Sequence, residues 1–100
     1  MYKIRMLADD IKTEVKTAEH YYESALYCKD INPDQSRKFA EIAKQELSHA
    51  MIFHDMVLAE VNKAKDAGKE PTEEMKFVWE KVHVDCVSHI RELEYKLSRL

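Results

Sequence analysis

Cys28-Lys29-Asp30-Ile31-Asn32-Pro33-Asp34-Gln35-Ser36 is the stretch on which the fold turns. Asn32 suits an N-cap, because its side-chain oxygen can accept from a first-turn N–H. Pro33 suits the first helical position, where a missing N–H costs nothing and φ is already helical. One helix therefore ends before this stretch and another begins within it. Downstream, Gly68 reads as a helix stop, and Lys69-Glu70-Pro71 does not easily continue a helix. Thr72-Glu73-Glu74 then caps a third helix with carboxylates in its first turn. These breaks predict helices over roughly 3–30, 34–66 and 73–98.

Each predicted helix carries an apolar stripe at 3.6-residue spacing. The first shows Ile4, Leu7, Ile11, Val15, Ala18, Tyr22 and Ala25. The second shows Phe39, Ile42, Ala43, Ala50, Phe53, Val57 and Val61, and the third Met75, Trp79, Val82, Cys86, Ile90, Leu93 and Leu97. Short connections between long helices favour antiparallel neighbours. The expected fold is all-α, one domain over 1–100, with three long antiparallel helices in an up-down-up order. Three such rods leave one side poorly covered, so self-association into a larger bundle is expected.

Composition narrows the function. Charged residues make up 35% of the chain, and no apolar run approaches the roughly 20 residues of a membrane span. The opening residues show no secretory pattern, which points to a cytoplasmic setting. Net charge is −3 with both signs interspersed, so no nucleic-acid footprint is expected. Cys28 and Cys86 form no Cys-x-x-Cys pair and read as free thiols. Met51, Met56 and Met75 read as core or interface filler.

The informative residues interrupt the stripes. On a helical wheel Glu46 lies within about 20° of Phe39 and Val57, and Glu14 within about 20° of Leu7 and Ala25. His49 lies near Ile42, at the edge of the second stripe. A carboxylate on a buried stripe is costly unless it is paired or binds a metal. Glu46 and His49, three residues apart, project to one side and can offer oxygen and nitrogen to one ion. Counted from the turn at Ile31-Asn32, Glu14 lies at about the depth of Glu46 and His49. The bland alternative is a polar network, Glu46 with Tyr21 or Tyr22, that only sets helix register.

Ile11-x-x-Glu14 with Tyr21 on the first helix, and Gln45-Glu46-Leu47-Ser48-His49-Ala50 on the second, resemble the ferritin-like superfamily. The rubrerythrin and small encapsulated-ferritin branches are the nearest in pattern. In that superfamily a di-iron site takes a lone Glu from each of two helices and a Glu-x-x-His from each of the other two. The resemblance makes Glu14 the lone carboxylate, Glu46 the bridging ligand and His49 a terminal ligand, with Tyr21 hydrogen-bonded to a carboxylate. It covers about the first two-thirds of the chain, which has no fourth helix. Two protomers each donating Glu14, Glu46 and His49 would complete the set. Alternatively Glu80-Lys81-Val82-His83 supplies a second Glu-x-x-His from the third helix. Here Glu80 sits about 100° from Trp79 on the wheel and far from the level of Glu46, so Glu80 and His83 rank second.

Carboxylates with imidazole and no thiolate favour iron, or manganese, over copper(I) or structural zinc. The resemblance implies a ferroxidase-type activity, Fe(II) oxidation for iron storage or oxidative defence. It also implies a homodimer or larger oligomer, with an enclosing protein shell among the partners it admits. The rival expectation is a non-catalytic helical interaction or assembly module without metal. His54 reads as a satisfied interface histidine and His20 as plain surface.

Overall fold

The computed structural model describes residues 2–68 and 72–100, apart from the side chains of Tyr2 and Glu74. The predicted turn at Lys69-Glu70-Pro71 and the side chain of Glu74 lie outside the described residues. The described chain is all helix, with no strand. Helix α1 spans Tyr2–Cys28 and α2 spans Pro33–Asp66. The third rod is α3, Glu73–Glu80, then a π-helical segment, Lys81–Cys86, then α4, Val87–Ser98.

The breaks work as the side-chain chemistry requires. Asn32 Oδ1 accepts from the Gln35 N–H at 3.2 Å, and Pro33 opens α2. Thr72 Oγ1 accepts from the Met75 N–H at 3.1 Å and so caps α3. Gly68 follows α2 with φ +73°, a left-handed conformation that a side chain would strain. In the first turn of α2, the Lys38 ammonium and then the Arg37 guanidinium hold the Asp34 carboxyl below its ordinary range.

Cross-helix pairs set the order of packing. Lys3 Nζ meets Glu60 at 3.0 Å, and Ser36 Oγ donates to the Ala25 carbonyl at 2.6 Å. Ascending numbers on α1 thus meet descending numbers on α2. The third rod lies against both, with His89 Nε2 3.3 Å from the Glu19 carboxylate of α1. The molecule is a rod with extents of 56 × 18 × 16 Å.

The core follows the stripes of α1 closely: Ile4, Leu7, Ile11, Val15, Ala18 and Ala25 are all buried. On α2 the buried line is Ala43, Leu47, Ala50, His54, Val57 and Val61, while Phe39, Ile42 and Phe53 are only half-buried. The observed stripe therefore lies about 40° round the helix from the sequence stripe and takes in Leu47 and His54. On the third rod Val78, Val82, Ile90, Leu93 and Leu97 are buried.

The π segment has a simple origin. Val78, Val82, Cys86 and Ile90, all buried or half-buried, lie four residues apart along this rod. Steps of four overshoot an α-helical turn by about 40° each, so three of them would carry the stripe off the core. The wider π turn absorbs one residue, and the Val87 N–H reaches back to the Val82 carbonyl. Val82 and Ile90 then share one face.

Burial and capping each give a stability prediction. Ile11→Ala, at a position with 0% exposure, should lower unfolding free energy by roughly 2–5 kcal/mol in denaturant titration. Asn32→Ala should cost about 1 kcal/mol by the same measurement, through loss of the α2 cap.

Candidate metal centre

Glu14 projects from the middle of α1 towards α2, and Glu46 and His49 project from α2 towards it. Relative to the observed core line, both glutamates sit roughly 60° round the helix, at the edge of the seam. Each glutamate side chain is 22% exposed and His49 is 54% exposed. The site is a half-open ledge, with its donors on the side of the α1–α2 pair where the half-buried Ile42 and Phe53 also lie.

His49 Nδ1 is 3.9 Å from Glu14 Oε2 and 4.0 Å from Glu46 Oε2. One donor atom from each of the three residues lies within 4.8 Å of the others. These separations are too long for hydrogen bonds between the groups. Metal–ligand bonds of roughly 2.0–2.2 Å put two donors on one ion about 3–4.4 Å apart. Rotamer adjustments of a few tenths of an ångström are enough to close the set on a cation. Two carboxylates within 4.8 Å of one another repel by roughly 1–3 kcal/mol at effective dielectrics between water and a protein surface. A bound cation removes that cost.

Depth matching brings these residues together. The α1–α2 pairs Lys3–Glu60 and Ala25–Ser36 bracket the level at which residue 14 meets residues 46 and 49. Among the described residues this is the one group of three or more histidine, cysteine, aspartate or glutamate side chains spaced for a metal.

The other sequence-selected residues fall elsewhere. Glu80 and His83 are exposed on the third rod and do not join this cluster. His83 instead stacks on Trp79, with centroids 4.8 Å apart and planes 13° apart. Tyr21 stacks on Phe39 at 6.1 Å, and among the described residues it makes no hydrogen bond to Glu14 or Glu46. The exposed His20 lies edge-on to Tyr21. His54, expected to be satisfied, is buried, and its Nε2 has no hydrogen-bond partner. Its place near Val61 on the wheel was the available signal, since Val61 is itself in the core.

Compared with protein-family models, with curated proteins and with solved structures, the chain finds no match. The ferritin-like resemblance rests on the motif residues alone. No helix among the described residues is long and apolar enough to cross a membrane.

Burial and then the Asp85 carboxylate push the Cys86 thiol above its ordinary range. Thiolate is the reactive form, so Cys86 should alkylate more slowly than a free cysteine at pH 8, read by mass spectrometry of iodoacetamide-treated protein.

Proposed function

We propose that the chain is a metal-binding helical protein of the di-iron carboxylate kind, in which Glu14, Glu46 and His49 form half of a site. The carrying observation is that two carboxylates and an imidazole, from residues 14, 46 and 49, converge on one ledge. The donor set suits iron or manganese. A three-donor ledge leaves much of an ion's coordination sphere open, and a second copy of the chain supplies the same three groups by symmetry. The three helices then serve as half of a larger antiparallel bundle. Exposed Ile52 and Met56 lie close to the His49 side of α2 and extend the apolar part of the contact.

In this reading Glu14 and Glu46 would hold the cations through carboxylate oxygens and His49 would add a nitrogen donor. Bound iron supplies one-electron chemistry with oxygen or peroxide, and Fe(II) is the substrate that is oxidised for storage or oxidative defence. The half-exposed ledge gives ions access to the three donors of each chain before the protomers close on them. The protein's own groups neutralise charge and set spacing, and none of them forms a covalent bond with substrate.

A second reading also has an observation behind it. Leu26, Tyr27 and Ile31 are exposed at the α1–α2 turn, a pattern suited to a helical interaction module without metal. The two readings part on metal content. Protein purified without chelator should carry iron or manganese by elemental mass spectrometry, near two ions per two chains, and should oxidise added Fe(II). Glu46→Ala should weaken Fe(II) binding at least about tenfold, equivalent to about 1.4 kcal/mol. Metal-free protein that takes up no Fe(II) would favour the interaction module. In that case Glu46→Ala should leave stability unchanged or raised, since it relieves a like-charge pair.

A further inference from the structure

His54 of α2 is a buried titratable group that the ledge does not use. The residue is 8% exposed, and its Nε2 lies in the interior with no hydrogen-bond partner. Its Nδ1 is 3.3 Å from the Asp55 carboxylate. A carboxylate accepts, so in the neutral ring this contact puts the proton on Nδ1 and leaves the lone pair on Nε2. A histidine oriented by a carboxylate on one nitrogen, with the other nitrogen free, is arranged as metal-ligating histidines are.

A second imidazole stands beside it from another element. The His83 ring, in the π segment of the third rod, is stacked with that of His54, with centroids 5.8 Å and planes 23° apart. Metal–nitrogen bonds of about 2.0–2.1 Å put the centroids of two imidazoles on one ion roughly 4.5–6.5 Å apart. The observed separation falls inside that range. Trp79 closes one side, with its ring centroid 4.8 Å from His83 and 6.0 Å from His54. His83 is itself exposed, so its ring is open to water.

We propose that His54 and His83 form a second metal site, separate from the carboxylate ledge, that takes one imidazole-preferring divalent ion of the zinc, nickel or copper class. The chemistry differs from that of the ledge: two neutral nitrogens and no carboxylate ligand select these ions over manganese or magnesium. The ion joins α2 to the π segment of the third rod. Binding only to the folded state stabilises that state.

Trp79 makes the site observable, because it is the only tryptophan in the chain and lies against both rings. Ni(II), a paramagnetic quencher with little tendency to oxidise the thiols, is titrated into the full chain while tryptophan emission is followed. Saturable quenching at one ion per chain is expected. His83→Ala, at an exposed position that leaves the core intact, should weaken the midpoint at least about tenfold. His54→Gln keeps most of the buried volume and should do the same, with circular dichroism confirming the fold. Glu46→Ala should leave the midpoint unchanged, which separates this site from the ledge. Quenching that does not saturate, or that survives His83→Ala with its midpoint unchanged, overturns the proposal. So does quenching lost on Glu46→Ala but kept in both histidine variants.

Discussion

Close approach of α1 and α2 is the constraint on which the rest of the structure depends. Ala18 and Ala25 on α1, and Ala43 and Ala50 on α2, are fully buried, interleaved with Ile11, Val15, Leu47 and Val57. Small side chains let the two backbones approach, and the larger ones fill the spaces between them at interior density. Once Lys3–Glu60 and Ala25–Ser36 fix the register of this pair, Glu14 has no choice but to face Glu46 and His49. A slip of one helical turn, about 5.4 Å, would separate the three donors. The ledge is thus a by-product of seam packing, and its spacing is as stable as the seam.

The third rod plays a different part. Val78, Val82, Cys86 and Ile90 recur every four positions, a spacing that drifts about 120° round a pure α-helix. The π segment resolves the mismatch by taking one more residue per turn. That adjustment keeps Val82 and Ile90 in the core and places His83 in the Trp79–His54 ring cluster. Two polar groupings therefore lie on opposite sides of one problem. The ledge sits where α1 and α2 leave an edge, and the ring cluster sits where the third rod bends its rules to close the core.

Much of this was legible in the residues alone. Asn32-Pro33, Gly68 and Thr72 mark the helix ends because capping and left-handed backbone are local chemistry. The α1 stripe was read almost residue for residue, since its apolar side chains have few competitors on the other faces. The α2 stripe lies about 40° from its sequence reading because Phe39, Ile42 and Phe53 are large and apolar yet belong to the flank, while Leu47 and His54 join the core. Hydropathy ranks side chains, but which of them face the neighbour depends on the neighbour. Glu14, Glu46 and His49 were found by depth counting along two helices from a shared turn, which is arithmetic that needs no tertiary contact.

By itself the sequence determined that the chain is helical, where the helices start and stop, and that Glu14, Glu46 and His49 lie at one level. Those properties come from backbone periodicity and capping, which act within a few residues. Only the tertiary structure decided that the carboxylates stand at a half-open edge instead of in the dry core. It alone placed His54 against Trp79 and His83, and left the His54 Nε2 without a partner. Rotation about a helix axis and burial of a single nitrogen are set by packing between rods distant in sequence, and no local pattern encodes them.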